Sequence, residues 1–301
     1  MKSRLLLLLV SVLSLTMFAC SSDDNSLIGP VGSDTSQLDS DSSSGGDSDT
    51  DTDTDSDSDT DGDTDGDNYL IATYRDFKST HTDFERFYPD GDNPDEYDGP
   101  EKPCLNMVLP DLGADKTPQF NTAQKGTCDE DRGDGWIINF NHIESATSFA
   151  DWYHDVDGVN IPIEKKIFLT LQSDGTYLFE DDTFFPLGVD EGFGAEDGQV
   201  DKNGTAQNFL FTTEIHTAFT YEGGEVFTFT GDDDLWLFID DKLAVDIGGL
   251  HEKTTKSVNL DDLGLSKGTQ YNMDIFHAER HTTDSNFRIT TTIKKFITSI
   301  D

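Results

Sequence analysis

Three cysteines, seven histidines and 61 acidic side chains are the groups in this 301-residue sequence with chemistry to offer. The carboxylates are too many to be diagnostic. With 45 of them beyond residue 68, some pair stands at glycosidase spacing in any fold, so their number is no sign of hydrolysis. The sequence holds no Gly-x-Ser-x-Gly elbow, no His-Glu-x-x-His and no phosphate loop, and it reads as a non-enzyme. His277, Glu279 and His281 alternate and would share one face of a strand, a metal-like spacing that still lacks a readable further ligand. Asp-x-Asp-x-Asp-Gly at 57–62 and again at 61–66 copies the start of a calcium loop. The distal Glu and flanking helices of an EF-hand are missing, which favours a plain spacer. Trp136 and Trp152, set among Gly and Asp, are candidates for stacking on a sugar ring, whereas Trp236 lies in an apolar run and reads as core.

Cys20 offers another kind of chemistry. Lys2 and Arg4 precede the apolar run 5–15, and the segment ends in Phe18-Ala19-Cys20. This order resembles a bacterial lipoprotein signal, whose cysteine takes a diacylglyceryl group before the preceding peptide bond is cut. An ordinary secretory signal or an uncleaved anchor is the alternative, although the run falls short of the roughly 20 residues a membrane-spanning helix needs. Ser21 resembles the residue found in lipoproteins sent to the outer membrane. The expectation is a surface-exposed domain that meets the membrane through its lipid anchor only. Export would leave Cys104 and Cys128 as the remaining thiols in an oxidising space, where they are expected to pair. A bridge over the residues between them would stabilise the fold by about 3 kcal/mol. The enclosed segment 105–127 carries Pro110, Gly113, Pro118 and Gly126 and reads as a long surface excursion.

Positioning these groups falls to one folded region. The formal charge of -41 repels phosphate backbones and excludes nucleic acid as a partner. Sixteen Asp residues lie between Cys20 and Tyr69 with almost nothing apolar beside them. The chain therefore divides into a signal at 1–20, a disordered Asp/Ser/Thr/Gly stalk at 21–68 and one acidic domain at 69–301. Beyond Tyr69 the recurrent pattern is period-two alternation broken by Gly, Asn and Asp, which predicts an all-β sandwich. Strands are expected at 167–171 and 177–179 around Asp174-Gly175, at 225–230, and at 235–239 turning through Asp240-Asp241 into 243–245. Residues 271–276 and 287–295 are expected to form a last antiparallel pair. Short helical turns are expected near 77–87 and 146–154.

The string from Phe227 to Asp240, with Gly231-Asp232-Asp233-Asp234 at its centre, continues through Asp246-Ile247-Gly248-Gly249-Leu250-His251. It resembles the bacterial fibro-slime domain, a relative of the PA14 sandwich. Tyr74-Arg75-Asp76-Phe77, Trp152-Tyr153-His154-Asp155, Phe211-Thr212-Thr213-Glu214 and Phe276-His277-Ala278-Glu279-Arg280 extend the resemblance over 69–298. It implies a surface-displayed, calcium-dependent module that binds an extracellular polysaccharide or cell-surface glycan. A structural slime or matrix component is the alternative, and a glycoside hydrolase a more distant one. In carbohydrate-binding PA14 adhesins two successive Asp residues joined by a cis peptide hold a calcium ion that also contacts sugar hydroxyls. Asp232 and Asp233 match them, and calcium's six to eight oxygen ligands leave room for a sugar. Asp234 stands where many such lectins have Gly, so it either adds a ligand or closes the sugar site. Asn286 and Asp246 are candidates for the rest of the shell, and His251 for a hydrogen bond to the ligand. The alternative is that 231–234 is a solvated turn.

Overall fold

The computed structural model describes residues 68–84, 103–124, 130–131, 137–138, 143–196, 199–281 and 284–298. The strands are β1 (Asn68–Phe77), β2 (Glu130–Asp131), β3 (Ile137–Ile138), β4 (Asn160–Leu171), β5 (Tyr177–Asp181), β6 (Phe211–Tyr221), β7 (Val226–Gly231), β8 (Asp234–Ile239), β9 (Lys242–Ile247), β10 (Thr254–Asn259), β11 (Thr269–Glu279) and β12 (Phe287–Thr291). The helix α1 (Ala146–Ala150) is capped by Ser145, whose hydroxyl accepts from the Ser148 amide. No helix among the described residues is long and apolar enough to cross a membrane.

Ten strands form one antiparallel ladder in the order β10-β7-β12-β5-β4-β1-β6-β11-β8-β9. In that order β7 and β11 stand six strand spacings apart, about 29 Å in a flat sheet. Yet the rings of Phe229 on β7 and His277 on β11 lie 6.3 Å apart. The ladder is thus folded over on itself into two layers. Phe227 and Phe229 from one layer share a core with Ile215, Phe219, Leu235, Leu237 and Ile275 from the other. The alternation of apolar side chains along each strand supplies that inner face.

Strand β8 is buried along its whole length. Leu235 and Leu237 enter the sandwich core, while Trp236 and Phe238 enter a second apolar cluster with Phe149, Trp152, Met107 and Phe276. Residues 104–120 and α1 make that second cluster, so the expected surface excursion is corrected: Met107 and Val108 are 0% and 2% exposed. The same segment covers edge strand β9, with Leu243 donating to the Pro110 carbonyl at 2.9 Å.

The hairpin around Asp174-Gly175 forms as expected, Thr170 opposite Leu178. Asp240 and Asp241 turn β8 into β9 with φ of 51° and 64°, a left-handed region that Asp tolerates. The expected pairing of 271–276 with 287–295 does not occur. β11 lies between β6 and β8, and β12 between β5 and β7. Residues 79–84 form turns in place of the helical turn expected near 77–87.

Candidate functional site at the β7 to β8 loop

Gly231 ends β7 where a Cβ would meet the Asn286 carbonyl oxygen at 2.3 Å, so glycine alone admits this close approach. The 286 segment is then stitched to the loop. The Asn286 amide donates to Asp232 Oδ1 at 2.7 Å and its side-chain Nδ2 to Oδ2 at 2.8 Å. From below, His277 Nε2 lies 2.9 Å from the Asp232 carbonyl oxygen. A carbonyl only accepts, so Nε2 carries the proton, and Nδ1 takes the Thr213 hydroxyl at 3.2 Å. Burial pushes this histidine down to about 4, so it is a neutral prop within the aromatic core. The Asp232–Asp233 peptide bond is cis.

The three successive acids part company. Asp234 accepts the Gly249 amide at 2.6 Å on Oδ1 and Arg280 Nε at 2.6 Å on Oδ2, an ion pair whose side chains are 0% and 1% exposed. The Arg280 guanidinium lies 4.9 Å from the centre of the Trp152 ring and donates to the Asp83 carbonyl at 3.3 Å. Asp232 and Asp233 are buried and form no salt bridge among the described residues. Asp233 Oδ2 accepts only the Arg280 amide, at 3.2 Å. Burial raises both carboxyls. For Asp233 the effect of burial is strong, and the charges of Asp234 and Asp232 add to it while Arg280 opposes it.

The remaining expected site residues fall in different places. Asn286 is brought to Asp232, while its own Oδ1 accepts from Lys253 Nζ at 3.2 Å. His251 is 3% exposed, gives Nδ1 to the Glu252 carbonyl at 2.8 Å and leaves Nε2 without a partner. It lies within Coulombic reach of Asp232, beside the loop. Asp246 is turned away: it accepts the Asn106 amide at 2.7 Å and the Trp236 indole N–H at 3.2 Å. The stacking role expected for Trp152 is corrected, since the ring is 0% exposed and its N–H bonds Asp83 Oδ2 at 3.0 Å. Cys104 is buried, and Cys20, Cys128 and Trp136 lie outside the described residues.

Sequence reasoning missed Arg280 as the partner of Asp234. It also placed Glu279 on a possible zinc face, whereas the structure sets Glu279 within Coulombic reach of Asp233 and Asp232. The alternation of His277 and Glu279 toward the loop was the available signal. Among the described residues no three Asp, Glu, His or Cys side chains are grouped closely enough to hold a metal by themselves.

Fold and site together define an antiparallel β-sandwich with a buried acidic loop at the head of two strands. The PA14 domain model matches residues 195–295, a stretch that contains the whole of that loop. Among curated proteins it is similar to protein psiD and protein psiC of Dictyostelium discoideum, 41% identical over 190 residues and 38% over 211. These alignments take in 62% and 67% of this chain and 36% and 38% of the relatives, so the chain spans little more than a third of their length. Among solved structures, a PA14 sugar-binding domain from an RTX adhesin overlays 39% of the chain at 8% identity with a TM-score of 0.24. An overlay that partial says nothing about ligand.

Proposed function

We propose that the domain is a calcium-dependent glycan-binding adhesion module, not an enzyme, displayed at a cell surface. The observation that supports it is the pair of buried, unpaired carboxylates Asp232 and Asp233 inside the PA14 match. Two adjacent carboxylates in a low-dielectric setting repel each other and cost desolvation energy unless a cation compensates them. The donor set suits calcium, being all oxygen: Asp232, Asp233, nearby carbonyls and water, with Asn286 closing one side. A carboxylate accepts about four hydrogen bonds or ligands, so the two bonds from Asn286 leave Asp232 free capacity. Bound calcium would supply open coordination positions for vicinal sugar hydroxyls. Asp234 serves as the loop's anchor through Arg280, which favours closure of the loop's rear over a direct ligand role.

Replacing Asp232 and Asp233 together with Asn keeps shape and removes charge. At calcium about 100 times the dissociation constant, wild type should gain roughly 2.7 kcal/mol of stability and the double variant nothing. Calorimetry with calcium or chelator, run beside a glycan array, checks this. Equal glycan retention by both proteins in chelator would move the sugar surface elsewhere. A protein that neither responds to calcium nor binds glycans would favour the matrix reading. Display is proposed to run through a lipid on Cys20 and the Asp-rich segment behind it.

A further inference from the structure

Glu279 is the last residue of β11, and alternation along that strand sends it to the same side as His277, toward the Asp loop. Its neighbour Arg280 goes to the opposite side, where it is held by Asp234 and Trp152. Glu279 is 1% exposed. Its Oε1 receives a long bond from the His281 amide, at 3.4 Å, Oε2 has no hydrogen-bond partner, and the Ser285 side chain is close enough to act on the carboxyl. The nearby Ser285 hydroxyl gives its proton to the Phe184 carbonyl at 2.8 Å. A buried carboxylate in this condition is costly ionised. Protonation would relieve this carboxylate alone. A cation relieves it and the two aspartates at once.

We propose that Glu279 is the third carboxylate of the cation site, facing Asp232 and Asp233 across the head of the sandwich and selecting a divalent, oxygen-loving ion. The inference rests on reading Asp232 and Asp233 as cation-binding residues. Three negative charges match a divalent ion better than a monovalent one, and affinity in oxygen-ligand sites rises with the number of charged ligands. The register supplies the geometry: Ala278 lies opposite Asp234 across the β11–β8 pair, so Glu279, one residue on, stands level with Asp233. The three do not close a shell by themselves, so calcium would draw them together and take its remaining ligands from carbonyls and water.

Calcium titration by calorimetry on the full chain, with melting curves in chelator, tests this on wild type, Glu279→Gln and Glu279→Asp. Glu279→Gln should weaken calcium binding at least about tenfold while melting in chelator at or above the wild-type temperature, since a repelling charge is gone. Glu279→Asp, which keeps the charge on a shorter arm, should weaken binding by more than about twofold but less than the Gln variant does, and decides the matter if the Gln variant does not fold. Calcium affinity within about twofold of wild type in either folded variant would show that Glu279 serves only its backbone contacts and would overturn the inference. If wild type binds no calcium up to about 10 mM, above the range of extracellular calcium modules, the reading of Asp232 and Asp233 falls, and Glu279 falls with it.

Discussion

Replacing His216 with Gln should remove a stabilisation that wild type has at pH 6 and lacks at pH 9.5. His216 projects from β6 between two carboxylates, with Nδ1 2.7 Å from Asp274 Oδ1 and Nε2 2.8 Å from Glu214 Oε1. Both acceptors are carboxylates, so both ring nitrogens donate and the ring is an imidazolium. Asp274 stands directly opposite on β11, Arg75 on β1 pairs with Glu214, and the Phe276 ring lies 5.7 Å away. Burial alone would lower the histidine, but the hydrogen bonds and charges of Asp274 and Glu214 outweigh it and raise it from 6.5 to about 9. A raised histidine contributes its stability in full below the unfolded value of 6.5 and loses it as pH climbs through about 9. That displacement corresponds to at most about 3 kcal/mol. The side chain is 39% exposed, so solvent screening reduces the expected effect to about 1 kcal/mol. Urea unfolding at pH 6 and pH 9.5, in chelator throughout, reads the difference between wild type and His216→Gln. A difference that stays constant between the two pH values would refute the clamp.

Trp152→Ala should cost about 3–5 kcal/mol by emptying a fully buried site. A variant that kept its stability and lost only glycan binding would restore the ring as a sugar platform. Mass spectrometry of the mature protein from its native source should find Cys20 at the N-terminus carrying lipid. In the same sample Cys104 should be linked to Cys128. An unmodified N-terminus beyond residue 20 would end the lipid reading, and alkylation of both cysteines without reduction would end the bridge.

What the sequence made legible follows from which interactions are local. β8 could be read because six consecutive residues must be apolar or paired to lie between two cores, and the Asp240-Asp241 turn because few residues tolerate positive φ. The partners of β11 and β12 could not be read, since antiparallel alternation is the same whichever strand lies alongside. Segment 105–127 looked like surface because Gly and Pro mark turns. Its Met107 and Val108 are nonetheless covered by Trp236 and its neighbours, more than 100 positions away. Trp152 misled for the same reason. Its Gly- and Asp-rich surroundings describe the chain beside it, while Asp83 and Arg280 determine its burial.

The difference between Asp234 and its two predecessors is the physical key to the loop. Of the two buried arginines among the described residues Arg75 pairs with Glu214, and the alternation of β11 commits Arg280 to the outer side of the sheet, where Asp234 also points. Breaking such a buried pair from one side typically costs about 3–5 kcal/mol, so Arg280 fixes where the loop leaves β7 and enters β8. Because Arg280 also rests on Trp152 and the Asp83 carbonyl, the segment packed over the outer face braces the loop from behind. The inner side receives no arginine. Asp232, Asp233 and Glu279 lie within Coulombic reach of one another there, beside a neutral His277 that offers a hydrogen bond but no charge. A fold that needed only a turn at this place would gain by replacing such acids with neutral residues. Their presence opposite a fully paired Asp234 fits a site whose missing positive charge comes from outside the chain.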